Sequence, residues 1–456
     1  MFKALALNSL SGCIALTLFA ACATKNRDTR DVPSPWGDSD SSYTPPEQKD
    51  SRSPVDVLFE RAQREYAQGK VVDARITLGQ VIHREHWHLP AQEMRQDIEY
   101  KEGLNRVTYE RHREEYGEHP ERAEALYLFL RARLLDTKSV KLSDAERSIS
   151  VEEEQALYSD AYRLADAGKN AEALAKLEEL LAGSPMHISG NRLYQDISIG
   201  TSSNLRITQK KLIDRYKKLW RKHEINGDAY YLYERALTSS NEREKVIGES
   251  LQRYAREIAA AADYPGYWRY YGLAATAMEA AGLVAQDAED AANQKRAYLK
   301  LAELGYTIAI RSENLNPEAY HGRSLALRSL GKREAGLADL RLANDLSSPP
   351  SRELLLDLGL TLGGKDASDA ERAEAEQLLK MSAERFPKDS SFPLALGAMY
   401  KQAGNPDAAL SAYRQAYELA TKGSEFEQGL AEYIERLEQE IAERDAPQNV
   451  PKPAIE

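Results

Sequence analysis

Past residue 22 the chain has no cysteine: both of its cysteines, Cys13 and Cys22, lie near the N-terminus. No disulfide framework can staple the remainder, which must hold together by packing. Phenylalanine is scarce as well, 7 residues against 25 tyrosines. That ratio suits helices meeting at half-buried interfaces, where the ring packs and the hydroxyl stays wet. Positive charge is in deficit, with a net charge of −11, and no basic stripe interleaved with aromatics is expected. Nucleic acid is therefore not an expected partner. The eight histidines are scattered, and no HExxH, GxSxG or Ser/His/Asp pattern occurs. Gly359-x₄-Gly364-Lys365 has the letters of a phosphate-binding loop. Asp366 stands where that loop needs Ser or Thr, and Leu354 to Leu362 reads as helix rather than strand. The expectation is no enzyme and no cofactor. The alternative is a metal site in the cluster His83-x₂-His86-x-His88, through imidazoles at one helix end.

What the chain has in abundance is helical period. Phe392 to Tyr417 reads FPLALGAMYKQAGNPDAALSAYRQAY. Leu396 and Tyr400 share one face, and Gly397 is small enough for a second helix to cross closely. Gly404-Asn405-Pro406 stops one helix and starts the next. Ala409, Tyr413 and Ala416 then line the face that packs back. This spacing resembles the tetratricopeptide (TPR) signature of L-G-x₂-Y followed by A-x₃-F. The resemblance implies an all-α solenoid of antiparallel helix pairs over most of residues 55–420, and protein binding in general.

Upstream, the chain repeats itself at an offset of 99 residues. Leu58, Ala62, Gly69, Lys70, Ala74 and Leu78 match Leu157, Ala161, Gly168, Lys169, Ala173 and Leu177. His88, Gln96-Asp97-Ile98 and Asn105 match His187, Gln195-Asp196-Ile197 and Asn204. After a small shift, Tyr127-Leu128-Phe129 and Arg131-Ala132 recur as Tyr231-Leu232-Tyr233 and Arg235-Ala236. These shared positions read as packing positions. The expected organisation is duplicated TPR-like units over 55–256 and a C-terminal TPR array over 264–444. The array closes on an amphipathic helix through Phe426, Leu430, Ile434, Leu437 and Ile441, the cap a solenoid needs. Residues 445–456, with three prolines, read as a disordered tail.

The first 21 residues read as an export signal, with Lys3 before a largely apolar run. Phe19-Ala20-Ala21-Cys22 resembles the cleavage box of bacterial lipoproteins, which implies lipidation at Cys22, testable with palmitate. Leu10-Ser11-Gly12-Cys13 has the same form but little apolar sequence ahead of it. Residues 22–54, rich in Pro, Ser and Asp, read as a disordered tether with a root-mean-square span of about 30 Å. With Ala23 rather than Asp after Cys22, the expected address is the periplasmic side of the bacterial outer membrane. The expected partners are other envelope proteins.

Within the TPR resemblance, first helices of successive pairs would line a groove. The residues placed there are Phe59, Gln63, Tyr66, Tyr158, Tyr162, His321, Leu325, Arg328, Leu394, Ala398 and Lys401. The competing reading of the aromatics is interhelix packing. The expected function is a scaffold in envelope assembly or export, with regulation of a cell-wall enzyme as the alternative.

Overall fold

The computed structural model describes residues 53–135, 148–224, 226–239, 243–261, 266–285, 290–313, 315–347 and 349–445. The export signal, Cys13, Cys22, almost all of the tether and the tail from 446 lie outside the described residues. Those described form helices and no strand. No described helix is long and apolar enough to cross a membrane.

The chain divides into two compact units between Lys332 and Arg333. In the first, α1 (Pro54–Ala67), α2 (Val71–Arg84), α3 (Leu89–Lys101), α4 (Asn105–Glu118) and α5 (Ala123–Leu134) make one copy of the duplication. Its second copy is α6 (Val151–Asp166), α7 (Asn170–Gly183), α8 (Ile188–Gly200), α9 (Leu205–Lys222) and α10 (Gly227–Thr238). Then follow α11 (Arg243–Ala261), α12 (Tyr267–Leu283), α13 (Ala291–Ser312) and α14 (Pro317–Ser329).

Local chemistry sets the hairpins. Ser53 and Ser150 cap α1 and α6, each hydroxyl accepting from the amide three residues on at 3.1 Å, which satisfies an otherwise orphan donor. Gly69 and Gly168 close those helices at φ +75° and +73°, a left-handed conformation other residues avoid. The following amides, of Lys70 and Lys169, reach back to the carbonyls of Glu65 and Leu164 at 2.9 Å. That backbone bond is the Schellman closure, and the two copies build it alike. The turned-back helices bury Ala62, Leu78 and Val81 in one copy and Ala161, Leu177 and Leu180 in the other.

The duplicated copies and the helices after them form a single unit, so the break expected near 257–263 falls inside it. Its cause is visible in the side chains. α13 packs on α5, and its Lys300 holds Glu93 of α3 at 2.6 Å. On the second copy, Arg192 of α8 holds Glu318 of α14 at 2.5 Å.

The second unit holds α15 (Arg333–Leu346), α16 (Arg352–Leu362), α17 (Asp369–Arg385), α18 (Ser391–Gln402), α19 (Pro406–Leu419) and α20 (Glu425–Asp445). Gly397 of α18 faces the Tyr413 ring of α19 so closely that a Cβ there would lie 2.7 Å from it. α20 buries Leu430, Ile434 and Leu437 against Ala409, Tyr413 and Ala416. That buried row is the apolar stripe on which the expectation of a cap rests. Helix α16 runs through Gly359 to Leu362, so those letters lie at a helix end and follow no strand.

Candidate functional site

The duplicated positions turn out to be hydrogen-bonded clasps as well as packing. In the first copy the Gln96 amide donates to the Leu128 carbonyl at 2.9 Å, and Arg131 donates to Gln96 and Asp97 at 2.7 and 2.6 Å. In the second, Gln195 donates to Leu232 at 3.0 Å, and Arg235 donates to Gln195 and Asp196 at 2.8 and 2.7 Å. Each clasp pins the third helix of its copy to the fifth. Gln96 and Gln195 are buried, so every polar atom there needs such a partner.

His88 and His187 are likewise a matched pair. Each caps its helix, Nδ1 accepting from Ala91 N at 3.2 Å and from Gly190 N at 2.9 Å. Each also packs on the aromatic of its first helix, Phe59 at 5.0 Å and Tyr158 at 5.2 Å between ring centroids. His88 is thus engaged in capping and in ring packing. His83 and His86 are exposed, and His86 lies edge-on to Trp87 at 4.4 Å. Among the described residues no three His, Cys, Asp or Glu are grouped to hold a metal ion.

The groove residues separate in the same way. Phe59 is half-buried under His88, and the Tyr66 hydroxyl accepts from Lys101 Nζ at 2.7 Å. Leu394 packs on the Ala409–Leu437 cluster. Lys401, expected to face an open groove, is taken up by α20. It lies 3.7 Å from Glu440 and 4.7 Å above the Tyr433 ring. Arg328 bonds the Ser324 hydroxyl at 3.3 Å within its own helix. His321 is half-exposed, one turn beyond Glu318 on α14.

Tyr158 and Tyr162 differ. Tyr158 is half-buried, and burial raises its hydroxyl pKa, with Arg192 and Glu318 both close enough to act on it. Tyr162, one turn on, keeps 58% of its surface exposed. Beside them Arg192 stacks on Trp268 at 5.0 Å and on Tyr271 at 5.9 Å while bonding Glu318. Trp268 and Tyr271 in turn pack with Tyr231, Tyr267 and Tyr306. Burial opposes the Arg192 charge, but Tyr231, Glu318 and Tyr271 hold its pKa well above the usual value. The face thus carries a fixed cation and one carboxylate over a buried layer of tyrosines whose hydroxyls burial keeps neutral. Its exposed aromatic surface is that of Tyr162.

Arg192, Glu318, Trp268 and Tyr271 were not among the groove residues placed from sequence. A signal for Arg192 was present, since it stands where the first copy has Glu93, a reversal of charge at the 99-residue offset. Glu93 bonds Tyr127 and Lys300 where Arg192 bonds Glu318. The two copies hold the helices that follow them with opposite polarity.

No family model and no curated protein matches the chain. Among solved structures it is similar to YrrB, a TPR protein with an unusual peptide-binding site, at 17% identity and TM-score 0.36, over 48% of this chain and 97% of that one. It is also similar to yeast Tom70, at 13% identity and TM-score 0.34, over 86% and 97% of the two chains. A tetratricopeptide repeat protein from Parabacteroides merdae shares 11% identity at TM-score 0.27, over 84% and 97%. At these scores the likenesses carry no functional weight.

Proposed function

We propose that this chain is a non-catalytic scaffold, lipid-anchored through Cys22 on the periplasmic side of a bacterial outer membrane, that holds a protein segment on the Tyr162 face. The observation carrying this reading is Tyr162 itself. A largely exposed tyrosine stands beside a half-buried one and an arginine already stacked on aromatics. Tyr, Trp and Arg are the residues that dominate binding hot spots. Arg192 is pre-ordered by Glu318 and Trp268, so little side-chain freedom is lost when a partner arrives. Anchoring rests on the Cys22 box and the compositional tether behind it.

Radioactive palmitate labelling in cells tests the anchor. Incorporation should be lost in Cys22→Ser; persistence there with loss in Cys13→Ser would move the anchor. Binding is tested separately with Tyr162→Ala, which removes an exposed ring and should leave folding unchanged. Partner recovery from envelope extracts should fall at least about tenfold, the weight of a modest hot spot. The triple change of His83, His86 and His88 to Ala should leave recovery intact if partial unfolding at the His88 cap is controlled by circular dichroism. Normal recovery with Tyr162→Ala would reject this face.

A further inference from the structure

Helix α9 departs from the acidic balance of the chain. This helix carries eight Lys and Arg residues against one acid, Asp214, in a chain of net charge −11. Its aromatics turn inward. Tyr216 is buried, and Trp220 stacks on Tyr233 with ring centroids 5.2 Å apart. Arg215 also leaves the surface set, bonded to Glu178 at 2.8 Å. The helix turns by 100° per residue, so 206, 207, 210, 211, 214, 218 and 221 fall on one outward arc. All of them are exposed, and Ile207 keeps 53% of its surface in solvent.

We propose that the outward face of α9 docks on an anionic phospholipid surface through Arg206, Lys210, Lys211, Lys218 and Arg221. Charge complementarity selects an anionic occupant. The inward aromatics leave no platform on which bases could stack, as single-stranded nucleic acid requires. A row of bases along a helix about 27 Å long matches a plane of headgroups. The apolar side of α9 is already used within the fold, so the contact is electrostatic and reversible rather than inserted. Access to such a surface rests in part on the anchoring reading, which keeps the body within tens of ångströms of a bilayer.

The test is flotation of the full-length Cys22→Ser chain with two kinds of vesicle, phosphatidylcholine alone and phosphatidylcholine mixed with phosphatidylglycerol. Partition by the apolar N-terminus would occur on both, so the difference between them belongs to charge. Binding should be at least about tenfold stronger with phosphatidylglycerol at low salt, and lost at high salt. Changing Lys210, Lys211, Lys218 and Arg221 to Gln should abolish the difference, with helical content unchanged by circular dichroism. The same number of changes at the exposed residues Arg106, Lys365, Lys388 and Lys422 should leave most of it. No preference for phosphatidylglycerol, or one that survives in the α9 variant, would overturn the proposal, as would binding to heparin alone. Palmitate labelling reports on Cys22 separately, so failure of the anchor and failure of this surface are distinguishable.

Discussion

A Cβ placed on Gly397 would meet the Tyr413 ring at 2.7 Å, closer than carbon atoms tolerate. Gly397→Leu should therefore cost about 1–3 kcal/mol by overpacking. Loss should appear as an earlier melting transition and protease cuts within α18–α20; an unchanged curve and pattern would contradict the crossing. Glu99 shows a different kind of constraint. Burial would raise its pKa, but Arg111, Thr108 and Arg95 outweigh that and hold it at about 2, below the ordinary 4.5. Arg111 clamps it with two bonds of 2.9 and 2.7 Å. Because the folded value is depressed, the stability it adds is complete above about pH 4.5 and is lost as pH falls towards 2. That shift corresponds to about 3 kcal/mol. Glu99→Gln should lower neutral-pH stability by roughly that order, and the gap should close in acid. Urea midpoints at neutral pH and near pH 2 measure it; an equal gap at both would contradict the linkage.

At the scale of elements, what was legible and what was not divide on physical grounds. Helix pairs were legible because their signals are local: a left-handed glycine, a capping serine, small residues at fixed spacing. Gly69, Gly168, Ala74 and Ala173 declared the two copies in this way. The clasps were half-legible. The repeat of Gln195 and Arg235 marked them as shared, but a hydrogen bond from a side chain to a carbonyl 37 residues on leaves no periodic trace. The Tyr158–Arg192–Glu318 face was not legible as a site, since its residues come from helices far apart in sequence. The contacts of Lys401 with Glu440 and Tyr433 were not legible for a related reason, because which helix covers it depends on how α20 returns. Arg235→Ala should leave buried Gln195 and the exposed end of Asp196 short of partners, at about 1–3 kcal/mol. Amide exchange in α8 and α10 should quicken more than in α3 and α5. Equal protection in both copies would show that the clasp carries no stability.

At the scale of the whole molecule, the surfaces of the helices come to the front. Helices stacked in pairs supply rigid faces, and two of these faces have distinct character: Tyr162 with its arginine, and the basic arc of α9. The charge on α9 stands out because the remainder of the chain is acidic. The central claim, that the Tyr162 face holds a protein, is tested most directly by photocrosslinking in cells. A benzophenone amino acid replaces Tyr162 in the full chain, and in a control replaces Glu172, exposed on the second helix of the same hairpin. The account predicts a discrete protein adduct from position 162, weakened when Arg192 is also changed to Ala, and little from position 172. Equal adducts from both positions, or none from 162, would contradict it.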